Sequence, residues 1–363
     1  MTVTELFTPP AAAEQPVEKL VIRRPDDMHV HLRDGAMLKA VLPATAGQFA
    51  RGIIMPNLTP PVTTSDMAAD YRTRVLKAMP EGAEFTPLMT CYLTDRTDPD
   101  DLIRGFEEKI WYAAKLYPAG ATTNSAHGVT DIDALSPILE TMERLGMPVL
   151  IHGEATDPAV DIFDREAYFL ENTMVKILER HQGLKVVVEH CTTEQGVALV
   201  RSYAPRVAGT ITPHHLYLNR TSLFQGGLRP HFYCLPVAKR EHHRLALRKA
   251  ATSGETCFFI GTDTAPHLRT AKESACGSAG VFCALTALQS YVQVFDEENA
   301  LPRFEAFASE NAARFYGLPL NDGTIELIRK PSRPLVSLPV ADVDVAVFRG
   351  GEEFGWSIGE TRV

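Results

Sequence analysis

The 363-residue sequence has no C-x-x-C pair, and its 6 cysteines are too scattered for a disulfide framework. Cys191 and Cys257 sit in strand-like apolar runs, where a buried reduced thiol is expected. Cys276 and Cys283 lack metal-ligand spacing and are expected to be reduced thiols too. This usage suits a reducing cytoplasm. No stretch approaches the ~18–20 apolar residues of a membrane span. The N-terminus lacks the basic segment and long apolar run of a signal peptide. Long basic runs are missing as well, and the net charge is −9. Nucleic acid and anionic membranes are therefore not expected as partners. An anionic substrate would need local arginines to draw it against the overall field.

The 45% hydrophobic content is enough for a sizeable core. Residues 1–18, rich in Ala, Pro, Thr and Glu, are expected to be a loose tail. Residues 19–363 are expected to form one domain. Within it, short apolar or β-branched runs recur, each ending in polar residues. They are 20–31, 52–57, 85–93, 113–118, 148–154, 184–190, 207–214 and 257–263. Their spacing of roughly 33 residues is that of a βαβ unit. Helix-like segments fill the intervals: 63–78, 132–145 with Gly146 as a stop, 165–181, 194–203 and 241–252. Strands alternating with helices in this number predict an α/β fold, a (β/α)8 TIM barrel. Two more helix-like runs, 281–294 and 303–316, and short strand-like pieces after Leu320 are C-terminal additions that the sequence does not place.

Active groups in such a barrel gather at the C-terminal strand ends. The first run leads into Asp27-Met28-His29-Val30-His31-Leu32-Arg33-Asp34-Gly35. Alternation puts His29 and His31 on one face, about 7 Å apart. Such a pair can hold a metal ion, or can pack and hydrogen-bond locally. Further strand ends carry Lys115, His152, His190 and Asp263. Four histidines and an aspartate at strand ends of one barrel would converge on its axis, which favours a metal site. Lys115 would be desolvated there and its pKa lowered. A neutral amine can add carbon dioxide and become a carbamate, with one oxygen for each of two metals. The other reading of Lys115 is a side chain snorkelling to the barrel mouth.

The order H-x-H, Lys, His, His, Asp resembles the amidohydrolase superfamily. The local wording is narrower. His29-Val30-His31-Leu32-Arg33-Asp34-Gly35, Met55-Pro56-Asn57-Leu58, Lys115-Leu116-Tyr117-Pro118, Ile151-His152-Gly153-Glu154 and Glu189-His190-Cys191-Thr192-Thr193 are similar to the compact bacterial dihydroorotases. So are Arg229-Pro230-His231, Cys234-Leu235-Pro236 and Gly261-Thr262-Asp263-Thr264-Ala265-Pro266-His267. The resemblance spans about Leu20 to Gly280. It implies reversible cyclisation of N-carbamoyl-L-aspartate to L-dihydroorotate in pyrimidine synthesis. It implies two Zn2+ per chain, bridged by carboxylated Lys115 and a hydroxide. His29, His31 and Asp263 would hold one ion, and His152 and His190 the other. Asp263 would also shuttle the proton. A homodimer is implied by resemblance alone.

The substrate is a carboxylate, so an arginine fork is expected. Arg33, two residues past His31, is the candidate, and Asn57 can bond the same carboxylate. Resemblance adds His267 and the backbone of Leu235 and Ala279, with His31 and His152 also facing the substrate. Residues 119–128, small and hydroxyl-rich, suit a loop over the mouth. Thr122 and Thr123 on it are implied to reach the substrate. His214 and His215 are expected to be structural, and His242 and His243 solvated. Rival readings are a hydantoinase or allantoinase, which would not need the Arg33 and Asn57 clamp, and an inactive barrel, which should have lost ligands.

Overall fold

The structure, a computed structural model, describes residues 17–362, so the tail expected at 1–18 lies almost wholly outside them. The first apolar run is two strands rather than one. β1 (Lys19–Arg23) ends before Pro25, which has no N–H to continue a ladder. It lies outside the barrel and pairs antiparallel with a late strand at Thr324–Ile328. The chain then enters the barrel as β2 (Asp26–Val30), its first strand.

The barrel continues through β3 (Arg51–Ile54), β4 (Thr86–Tyr92), β5 (Trp111–Leu116), β6 (Val149–Ile151), β7 (Val186–Val188), β8 (Val207–Ile211) and β9 (Phe258–Ile260). Each pairs in parallel with the next, in strict sequence order. The seam between β9 and β2 closes just beyond the strands. There Asp263 N donates to His29 O (2.8 Å) and His31 N to Thr264 O (3.1 Å). Buried Asp27 adds bonds from Thr262 N (2.9 Å) and Thr262 Oγ1 (2.6 Å).

The helices fall where periodicity places them. Ser65–Lys77 is capped by Thr64, Ser136–Leu145 ends on Gly146 at φ 67°, and Glu194–Tyr203 is capped by Thr193. Glu241–Ala251 follows. The segment after Arg165 carries a wide turn at Leu170–Met174 between Arg165–Phe169 and Val175–Arg180. The helix expected from Val281 begins only at Ala287, because Val281 bridges to Thr264 instead. The C-terminal pieces are β10 (Thr324–Ile328), β11 (Ser337–Val340), β12 (Val343–Ala346) and β13 (Ser357–Arg362). β10 lies between β1 and β13, and β11 with β12 makes a separate hairpin.

Alternation along the strands sets the core. Val149, Ile151, Val186, Val188, Phe258 and Ile260 face out against the helices. Ala113, Leu150, Val187, Ala208 and Phe259 face in and fill the barrel floor, closed below by Ala312, Phe315 and Tyr316. Two residues further along, on the same inner face, come Lys115, His152, Glu189, Thr210 and Gly261. The apolar floor and the polar layer above it are thus one pattern, and the layer sits at the C-terminal mouth. Gly261 must be small there: a Cβ would stand 2.7 Å from Thr210 Cβ and 3.0 Å from His29 Cβ.

Candidate active site

The inner layer and the loops above it line a cavity at the mouth, walled by the candidate residues His29, His31, Arg33, Asn57, Thr122, Thr123, His152, His190, Leu235, Asp263 and Ala279. Lys115 and His267 stand behind this wall. His29 and His31 converge at their tips, with Nε2 atoms 3.3 Å apart. β2 ends at Val30, so His31 is the first residue beyond the strand.

The ring nitrogens fall into two groups. Nε2 of His29 and of His31 face Asp263 Oδ1 at 3.3 Å and 3.1 Å. His152 Nδ1 faces His190 Nε2 at 3.2 Å. Ligand atoms of His29, His190 and Asp263 all lie within 4.8 Å of one another, and all three residues are buried. Alternation would turn His190 outward, away from Glu189. A φ of 41° at His190 breaks the alternation, and Asp263 (φ 46°) and Arg33 (φ 59°) share this uncommon backbone. Such strain persists only where surrounding structure holds it.

Outer partners hold the rings. Glu189 Oε2 takes His29 Nδ1 at 2.6 Å and also accepts from Thr210 Oγ1 at 2.7 Å. Glu154 Oε2 meets His152 Nε2 at 2.8 Å. Asn57 Oδ1 meets His31 Nδ1 at 2.8 Å, so its oxygen is engaged with the histidine. The signal was present but unread: an acidic residue stands beside or two residues beyond a strand-end histidine in Glu189-His190 and His152-Gly153-Glu154.

Burial alone would push the Glu189 carboxyl up, but His29 and Lys115 beside it hold it below its ordinary value. Burial would likewise raise Asp263, yet His29 and His31 keep it well below the carboxylate range. Burial takes His31 down to about 4 and His190 well below its usual value. It also lowers the Lys115 ammonium to about 8, against the pull of Glu189 and Asp263. Lys115 is fully buried, and its Nζ has no hydrogen-bond partner. Tyr117, on the same strand end, likewise has a buried hydroxyl without a partner.

Arg33 lies on the cavity wall, with Nη2 3.1 Å from His267 Nε2. An arginine only donates, so this nitrogen of His267 is the acceptor. The 119–128 loop is folded over the mouth. Thr123 Oγ1 donates to Ala279 O (3.2 Å), and Asn57 Nδ2 donates to Thr123 O (3.1 Å). His215 is tied to Thr212 Oγ1 and Pro236 O, whereas neither ring nitrogen of buried His214 has a partner. His242 is exposed, but His243 is not solvated as expected. It is buried, and its Nδ1 accepts from Glu194 N at the start of the neighbouring helix.

A sequence profile of the Amidohydrolase family matches residues 22–344. A dihydroorotase of a Synechococcus species is 57% identical over 343 residues, covering 94% of this chain and 99% of its own. Among solved structures, the Saccharomyces cerevisiae dihydroorotase in complex with 5-fluoroorotic acid superposes with a TM-score of 0.88 at 32% identity, covering 94% of this chain and 99% of its own. An L-hydantoinase of Arthrobacter aurescens has a TM-score of 0.78 at 16% identity, with 95% of this chain and 84% of its own covered, a likeness of fold alone. With the barrel and its ring of histidines, these relationships make the chain a member of the dihydroorotase family of amidohydrolases, hydrolases of a cyclic amide in pyrimidine biosynthesis.

Proposed function

We infer that the site interconverts L-dihydroorotate and N-carbamoyl-L-aspartate at a pair of divalent metal ions. The observation that carries this is Lys115: a buried amine without a partner, at the inner end of a barrel strand, in one polar layer with His152 and beside His29, Asp263 and His190. An unpaired buried ammonium is costly. A carbamate on the same nitrogen would be an anion with two oxygens for two cations. The donor set fits zinc, since imidazole and carboxylate suit it. His29, His31 and Asp263 would hold one ion, His152 and His190 the other, and carboxylated Lys115 both.

When bound, the two ions supply Lewis acidity and lower the pKa of a water. The chain's own residues do the rest. Asp263, in the cavity wall, takes a proton from the attacking water and delivers it to the ring nitrogen as the carbon–nitrogen bond breaks. One water is consumed: its hydroxyl goes to the carbonyl carbon and its proton to nitrogen. Glu189, Asn57 and Glu154 fix the ring orientations of His29, His31 and His152. Arg33, with neutral His267 beside it, binds the substrate carboxylate, and Asn57 offers its amide to the same group. Backbone of Leu235 and Ala279 completes the pocket, while Thr122 and Thr123 close over it. Zinc as the native metal, a homodimer and a cytoplasmic setting belong to this reading by resemblance. Among the described residues no helix is long and apolar enough to cross a membrane.

The purified protein should open L-dihydroorotate at alkaline pH with about two metals per chain. Two metals without turnover would move the substrate to another cyclic amide. Arg33→Ala should raise KM for N-carbamoyl-L-aspartate by about 10–100-fold, the cost of a lost charge-assisted bond, with metal content unchanged. Unaltered kinetics would remove the clamp.

A further inference from the structure

Lys272, the last residue of a short helix (Arg269–Lys272), is only 4% exposed. Its ammonium donates three bonds, to Tyr233 O (2.7 Å), Ser278 O (2.8 Å) and Gly280 O (2.7 Å). Three N–H donors meet three carbonyls, so the ammonium is saturated. All three acceptors are backbone carbonyls, with no carboxylate among them. Burying this charge is unfavourable in itself. What it achieves is to draw to one point three carbonyl dipoles that would otherwise repel.

Those carbonyls belong to two segments far apart in sequence. Tyr233 lies two residues before Leu235, and Ser278 and Gly280 flank Ala279. Leu235 and Ala279 both line the cavity. A direct bond from Gly280 N to Tyr233 O (3.0 Å) joins the segments at the same place. In a trans peptide the C=O and N–H point oppositely. Holding Ser278 O on the ammonium therefore turns the Ala279 N–H away from Lys272. That N–H and the Leu235 N–H have no protein partner among the described residues. The Ala279 carbonyl in turn receives Thr123 from the covering loop. The lysine is itself anchored, because Arg269 on the same helix pairs with Asp344 of β12 at 2.8 Å.

We propose that Lys272 is a positioning residue: its ammonium clamps the two backbone segments that present Leu235 and Ala279 to the substrate. This rests on the substrate reading above for the ligand, but not for the clamp. Lys272 touches neither the cavity nor the candidate metal ligands, so its removal should act on binding.

The test is Lys272→Met, which keeps the stem and deletes the charge. It is read by steady-state kinetics with L-dihydroorotate, by metal content, and by amide hydrogen exchange over residues 231–238 and 274–282. The expected result is a KM raised about tenfold or more, a smaller change in kcat, metal content retained, and faster exchange in both segments. Lys272→Ala should regain part of its affinity when ethylammonium is supplied, which a merely structural role would not produce. A KM within about twofold of the parent, or a raised KM without faster exchange, overturns the proposal. If Lys272→Met does not fold, Lys272→Arg is read the same way, since its planar fork cannot converge on three carbonyls. A parent enzyme that does not turn over L-dihydroorotate would sink the substrate reading instead. The exchange measurement, which needs no substrate, then decides the clamp alone.

Discussion

Lys115→Ala should lose at least about 10³-fold in turnover of L-dihydroorotate, together with most of its bound metal. Short carboxylic acids such as acetate or propionate should restore part of both. The argument is geometric. The amine is buried among rings that other residues already orient, and it has no acceptor of its own. A lysine that served only packing would be replaceable by Ala with a cavity penalty of a few kcal/mol and no change in metal. A bridging carbamate would instead leave two cations without their shared anion, and a small carboxylate could enter the vacated space. Metal analysis with and without the added acid separates the two. Full activity of Lys115→Ala without rescue would refute the bridge.

Asp263→Asn should lower kcat by about 10²–10⁴-fold, the range of positioned proton transfer. Asparagine is chosen because it tolerates the left-handed backbone that Asp263 adopts at φ 46°. Its backbone N–H can still bond His29 O, so the barrel seam should remain closed. The substitution removes the charge that faces both His29 and His31, so metal must be quantified beside activity. A variant that keeps its metals and also keeps kcat within a few-fold would remove Asp263 from the proton path.

The barrel was legible because its strands are short apolar runs, and in β5, β6, β7 and β8 a polar residue stands two positions past an inward-facing member. Leu150 and His152, or Ala113 and Lys115, show floor and site as one alternation. Alternation cannot say which side chains meet across the axis. The pairing of His29 with Glu189, 160 residues apart, depends on how the strands close. Nor could it foresee His190, whose backbone leaves the strand pattern at the residue that matters. The break after β1 was signalled by Pro25, but its partner, β10, lies some 300 residues away. His243 was misjudged because polar neighbours suggested solvent, whereas its ring nitrogen serves the first turn of an adjacent helix.

The seam between the first and last barrel strands has a consequence for how the enzyme comes into being. Its bonds run through the site: Asp263 to His29, His31 to Thr264, and Thr262 to Asp27, spans of more than 230 residues. A growing chain therefore has all four histidines and the lysine before it has Asp263. Docking of β9 closes the seam and brings Asp263 to His29 and His31. Contacts of such sequence separation form late and slowly. The binding centre should be born at the end of folding, and a chain released before Asp263 emerges should capture ions only loosely, if at all.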